Sequence, residues 1–346
     1  MNPLTDPRPP YPVIDPCHAS QADPTLTEAL DRLLACVQPT PVETVALRAA
    51  RDRCLAAPLT APTPFPPFSR AMMDGYALRA AEVQPGARWI VQRELIAGQA
   101  ANSPLPPGHA VRIATGAALP EGADTVLRQE WAQRQGHTLR ASLPQLPPGK
   151  DAEAVGSVTA RGAPLLPAHT PLTPTHLAQA ARHGIHALPV HRTAAIALIL
   201  IGNELIPAGQ PLPAGHLYEH NAIWIESSLD QRHLGRIIHH ARVDDDPTRI
   251  HHTLTTALAK QPDLVILVGG TSVGSHDFTR RVLQRTGRLL FEGIQTRPGR
   301  TAFAAQSASG HLVIALPGSP KAVHALFDEL VVPTLCALQG QRIITA

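Results

Sequence analysis

The sequence predicts a multidomain α/β protein, with a doubly wound α/β domain in its second half and a small β domain set into its first half. Three observations predict it. Beyond Ala194, unbroken apolar runs at 196–201, 264–268 and 312–316 alternate with stretches of helical spacing. That pattern marks parallel strands buried on both faces and joined by right-handed crossovers. Residues 88–147 carry instead short apolar segments separated by Pro and Gly, the texture of a small β domain. The length, 346 residues, is also too great for one ordinary core.

Residues 1–24 are proline-rich and aperiodic, which predicts a mobile arm. Thr27 and Glu28 then precede Ala29, Leu30, Leu33, Leu34 and Val37, spaced as in an amphipathic helix. Residues 44–57 repeat that spacing more weakly around Val45, Leu47 and Leu55, so a second helix is expected there. Four prolines within 61–67 impose an extended entry to a strand beginning near Met73-Asp74-Gly75-Tyr76-Ala77. Taken alone, Asp74 reads as a turn residue and Thr115 as a turn hydroxyl. Apolar segments at 89–91, 111–113 and 125–127 supply further strands. A helix over 176–183, closed by Gly184, and a strand over 186–190 revisit the layer begun by 25–57.

In the second half, strands are expected at 196–201, from Ile237 to Val243, at 264–268 and at 312–316. Helices are expected over 221–234, through Ile250, Leu254 and Leu258, from near Asp277, and through Ala322, Leu326, Leu330 and Leu335. Gly287 is placed to cap the helix that carries Phe278, Val282 and Leu283, and a hairpin is expected across 289–306. The stretch DLVILVGGTSVGSHDF, 263–278, joins a buried strand to a helix through a loop rich in glycines and hydroxyls. Such a turn lets backbone N–H groups approach an anion at a helix N-terminus. From this stretch alone, an oxyanion site and a tight turn that binds nothing stay equally open.

Ligands of doubly wound sheets bind outside the carboxyl ends of the strands. Those ends carry Glu204, Asp245, Asp246, the 269–274 loop with Asp277, and the 317–320 loop. Each acid alone reads as a helix cap; the set reads as a site for a phosphorylated ligand held with a divalent cation.

Composition narrows the classes. The net charge of +3 is small, and its signs are mixed along the chain, so no nucleic-acid face is expected. Cys17, Cys36, Cys54 and Cys336 have no metal-ligand spacing, and His239-His240 and His251-His252 are adjacent pairs rather than spaced ligands. No apolar run approaches the roughly 18 residues of a membrane span, and the N-terminus lacks a signal-peptide core. A cytoplasmic location without membrane attachment is the expectation. No GxxxxGK[ST] phosphate loop is present.

Seven motifs in order carry a resemblance: MDGYA at 73–77, ATGAALPEGADTVLRQE at 114–130, GNEL at 202–205, VDDDP at 243–247, GGTSVGSHDF at 269–278, RPGR at 297–300 and LPGSP at 316–320. Together they resemble the molybdopterin molybdenumtransferases, the MoeA and gephyrin E-domain family, over about residues 25–340. The resemblance implies an arm at 1–24, an extended linking domain from 25–57 and 148–190, an inserted β domain at 58–147, and a MogA-like α/β molybdopterin-binding domain at 191–340. It also implies insertion of molybdate into adenylylated molybdopterin with release of AMP, assisted by Mg2+. Homodimers are implied, the inserted domain of one chain facing the α/β domain of the other. A molybdopterin adenylyltransferase or molybdoenzyme clients are the further partners. The C-terminal β domain usual in the family is expected to be absent.

Carried over by position, Asp74, Thr115, Glu204, Asp245 and Asp277 match the family's acidic or hydroxyl site positions, with Glu204, Asp245 and Asp277 as metal ligands. Gly269, Gly270, Ser272 and Gly274 match its pterin-phosphate loop. Pro298, Gly299 and Arg300 match the molybdate loop, with Arg297 and Arg280 near in sequence; Pro317, Gly318 and Ser319 match the last loop. The departures are Ser69, Val158 and Asn203, where the family pattern carries acids, and Arg297, Arg300 and Ser319 in place of Lys, Lys and Asn. Lost acids predict weaker transition-state stabilisation, by about a few kcal/mol each. They leave open a paralogue that binds or delivers the cofactor without turnover.

Overall fold

The computed structural model describes residues 23–271 and 278–343. The described residues divide into two compact units, one made of those up to 41 and from 191 on, the other of 42–190.

The first unit is the doubly wound α/β domain. Its elements in chain order are α1 (Leu26–Leu34), β1 (Ala195–Ile201), α2 (Asn221–Arg232), β2 (Arg236–Val243), α3 (Pro247–Ala259), β3 (Leu264–Val268), α4 (Phe278–Thr286), β4 (Gly287–Glu292), β5 (Phe303–Ser307), β6 (Leu312–Leu316), α5 (Pro320–Leu326) and α6 (Val332–Leu338). The sheet order is β2-β1-β3-β6-β5-β4. β2, β1, β3 and β6 run parallel, and β5 and β4 close the edge antiparallel. Strands buried on both faces have no polar side to show, which is why these runs read as continuous. Successive residues still part company. Ile196, Leu198, Leu200, Leu264, Ile266 and Val268 enter one core with α1, α2, α5 and α6. Ala197, Ile199, Ile201, Val265 and Leu267 enter another with Ile250 and Leu254 of α3 and Val282 and Leu283 of α4.

α1 begins at a capping box: Thr25 Oγ1 accepts from the Glu28 N–H, and the Glu28 carboxylate accepts from the Thr25 N–H. The resemblance assigns this helix to the linking domain. Instead Ala29 and Leu33 are fully buried in the α/β core beside Leu335 and Leu338 of α6 and Phe291 of β4. The amphipathic stripe is real; the sequence does not say which unit it faces.

Gly287 directly follows the last residue of α4, where the sequence places it, and also opens β4 opposite Ser307, where an added Cβ would stand 2.1 Å from the Gln306 carbonyl oxygen. The hairpin expected across 289–306 is formed by β4 and β5.

The second unit holds a six-stranded sheet ordered Thr125–Arg128, Gly75–Leu78, His109–Ile113, Trp89–Leu95, Thr138–Ala141, Ala132–Gln135. Trp89, Leu78, Leu127 and Leu139 pack on one face and Ala77, Val111, Ile113 and Val126 on the other. Around it run three short ladders: Val42–Ala46 with Ala187–His191, Leu59–Thr60 with Pro164–Leu166, and Arg70–Ala71 with Ala152–Glu153. The helix Pro174–Arg182 accompanies them.

No helix spans 44–57. Val42–Ala46 is a strand and Leu47–Ala50 a 3-10 turn. The backbone here bonds to distant chain: Leu47 N–H donates to His186 O, and Leu55 N–H to Thr170 O. These long-range partners override the weak helical spacing. Among the described residues no helix is long and apolar enough to cross a membrane.

Candidate functional site

A cleft of about 670 Å³ lies at the carboxyl ends of β1, β3 and β6 in the α/β unit. Two of these strands run into glycines. After β1, an added Cβ on Gly202 would meet Glu204 Oε2 at 2.6 Å, so glycine lets the Glu204 carboxylate fold back over the loop. After β3, Gly269 has φ +91° and an added Cβ would lie 2.1 Å from the Ile201 carbonyl oxygen. Only glycine fits there, so the loop's glycines serve close packing against β1 as well as any approach to an anion.

Asn203 and Asp245 tie two of these loops together. The Asn203 N–H donates to Asp245 Oδ2 at 3.3 Å, and the Asp245 N–H donates to Asn203 Oδ1 at 3.0 Å. Asn221, at the start of α2, donates from Nδ2 to the Gly318 carbonyl at 2.9 Å. Its Oδ1 is buried without a partner among the described residues. Thr271 and Thr301 meet through their hydroxyls at 3.1 Å.

The cleft therefore gathers Glu204, Asp245, Gly269, Gly270, Pro317 and Gly318 of the expected site residues. Ser272, Gly274 and Asp277 lie outside the described residues. Ser319 does not line the cleft; its carbonyl accepts the Ala322 and Val323 N–H groups at the start of α5. Arg280 is not among the described lining residues either. Its guanidinium lies 3.1 Å from Glu292 of β4, a carboxylate that Gln284 shares.

The RPGR segment lines a separate hollow of about 340 Å³, with Arg297, Arg300, Ile294, Gln295, Thr296 and Asp23 around it. Pro298 and Gly299 shape the loop. Gly299 has φ +116°, and an added Cβ would strike Leu326 at 2.7 Å. Arg300 is two-thirds exposed and lies 3.4 Å from the Asp23 carboxylate. Two guanidinium groups in one hollow suit an oxyanion.

Asp74 and Thr115 belong to the other unit, where they form a pair of their own. Thr115 donates both its N–H and its hydroxyl to Asp74 Oδ1, each at 2.7 Å. The Thr115 N–H, and next its hydroxyl, hold the Asp74 carboxyl below the usual carboxylate range. At the departure sites, Ser69 Oγ accepts from the Val155 N–H at 3.2 Å, while Val158 stands 54% exposed.

Mg2+ is commonly held by one or two carboxylates together with substrate phosphates, and Glu204 and Asp245 are the two carboxylates on this cleft among the described residues. Among those residues no group of three or more His, Cys, Asp or Glu converges. Sequence reasoning missed Asn221, Thr301 and Asp23, met Thr271 only as part of the glycine loop, and saw Asn203 only as a lost acid. Their partners lie 30 to 277 residues away, so no local signal marks them.

Residues 24–184 match the family described as MoeA N-terminal region (domain I and II), and 197–337 match a probable molybdopterin binding domain. A molybdopterin molybdenumtransferase of Haemophilus influenzae is 32% identical over 321 residues, covering 92% of this chain and 78% of that protein. One of Bacillus subtilis is 32% identical over 307 residues, covering 85% and 70%. The crystal structure of a molybdopterin biosynthesis MoeA protein from Pyrococcus horikoshii superposes with TM-score 0.82 at 28% identity, covering 92% of this chain and 80% of that one. On these matches, which together cover most of its length, the chain belongs to the molybdopterin molybdenumtransferase (MoeA) family.

Proposed function

We propose that the protein acts in molybdenum cofactor biosynthesis, inserting molybdate into adenylylated molybdopterin with release of AMP. The observation that carries this is the convergence of Glu204, Asp245 and the Gly269–Gly270 turn on one cleft, in a chain whose relatives are named for that transfer. The glycine turn and the start of α4 would hold a phosphate of the substrate through backbone N–H groups. Glu204 and Asp245 would hold Mg2+, which when bound offsets charge on the phosphoanhydride and on the departing AMP. Arg297 and Arg300 would grip molybdate through charge-assisted hydrogen bonds. Asp74, kept ionised by Thr115, would act from the inserted domain, facing the α/β cleft of a second copy in a homodimer. A cytoplasmic location, with a molybdopterin adenylyltransferase upstream and molybdoenzyme clients downstream, completes the proposal.

Incubating the protein with adenylylated molybdopterin, molybdate and Mg2+ should release AMP in step with cofactor formation. Absence of AMP under conditions where a relative turns over would refute it. A second reading is favoured by Ser69, whose hydroxyl is taken by a backbone N–H, and by the exposed Val158: a paralogue that binds or delivers molybdopterin without turnover. It predicts pterin binding with no AMP, and AMP release gained in the double variant Ser69→Asp, Val158→Asp.

A further inference from the structure

We infer that Asp23 is a built-in competitor for the oxyanion hollow: its carboxylate occupies Arg300 and sets how tightly that hollow takes a tetrahedral dianion. Three observations place it there. The segment ahead of α1 is fastened across the RPGR loop by backbone, since Gln295 donates its N–H to Pro24 O at 2.8 Å and its side-chain amide to Asp23 O. The Asp23 carboxylate lies 3.4 Å from Arg300 Nε. Gly293 leaves the room, because an added Cβ would already stand 3.0 Å from Asp23 Oδ1.

A carboxylate beside a guanidinium can do either of two things. Placed behind the arginine it orients it for the ligand; placed in the ligand's space it competes. Asp23 lines the same hollow as Arg297 and Arg300, which favours competition. Its negative charge also halves the positive charge that the two arginines offer. A dianion such as molybdate or sulfate must displace Asp23 from Arg300 or bind beside a like charge. The inference rests on the assignment of an oxyanion to this loop.

The test is calorimetric titration of the full chain with molybdate, and separately with sulfate, comparing unaltered protein with Asp23→Asn, Arg300→Ala and the double variant. Asp23→Asn keeps size and both backbone anchors, and its melting curve reports whether the fold is unchanged. The expected result is affinity for either anion about two- to fivefold tighter at low salt, in line with an exposed ion pair. The gain should shrink as salt screens the pair and vanish in the Arg300→Ala background. Unchanged or weaker binding by Asp23→Asn, while the unaltered protein binds and Arg300→Ala does not, would overturn the competition and leave the oxyanion assignment standing. No binding by either the unaltered protein or Asp23→Asn would overturn both.

Discussion

Asn203 shows what one atom can change. Its side-chain oxygen accepts the Asp245 N–H as a carboxylate would, but without a second negative charge beside Asp245. Asn203→Asp should keep the loop clamp and tighten Mg2+ binding on the order of tenfold, since charge count tunes such sites. Asn203→Ala should loosen the clamp and weaken Mg2+ binding; titration calorimetry of Mg2+ reads both. In the inserted unit, Arg128 grips Asp151 through two bonds of 2.7 Å, while the Asp151 carbonyl accepts the Met72 N–H. That pair steadies the segment leading to Asp74. The Arg128 hydrogen bonds hold the Asp151 carboxyl below its ordinary value. A depressed carboxylate contributes stability that is present above the unfolded value and is lost as pH falls through the folded one. Asp151→Asn should therefore cost about 1 to 2 kcal/mol at neutral pH, the gap closing in acid below the ordinary aspartate range; urea unfolding at both pH values checks it.

Among the elements, the glycine turn after β3 separates packing from binding. Gly269→Ala would drive a methyl into the Ile201 carbonyl at a positive φ, and should cost about 3 kcal/mol or more in urea unfolding. Gly318, also on the cleft, would place its Cβ 3.6 Å from Gly269 Cα, an ordinary contact. Gly318→Ala should change stability by less than about 1 kcal/mol, so loss of ligand binding there would report on the ligand alone. The elements were legible where one physical rule dominates. β1, β3 and β6 are unbroken apolar runs because helices cover both faces, and no other element imitates that. Val45, Leu47 and Leu55 deceived because helical spacing counts for little once backbone groups find partners 115 to 139 residues away. Glu204 and Asp245 could be grouped because strand ends share a rim.

For the whole molecule, each unit carries its own cores, so damage should stay local. Leu139 is fully buried in the inserted unit. Leu139→Ala should destabilise that unit by about 2 to 5 kcal/mol while sulfate binding at Arg297 and Arg300 is unchanged. Calorimetric melting should then show one transition lowered and the other in place. The change of texture in the sequence falls at 58–147, whereas the compact unit runs over 42–190, and the ownership of the flanks was not legible. α1 looks continuous with the strand and turn after it, yet it packs on β4 and α6.

That packing has a consequence for synthesis. The stripe of Ala29 and Leu33 leaves the ribosome well before the α6 surface that covers it, which is made roughly 300 residues later. At 5–20 residues per second this is a delay on the order of 15 to 60 s. Through that interval the inserted unit can fold, while the newborn helix waits with its oily side open to chaperones.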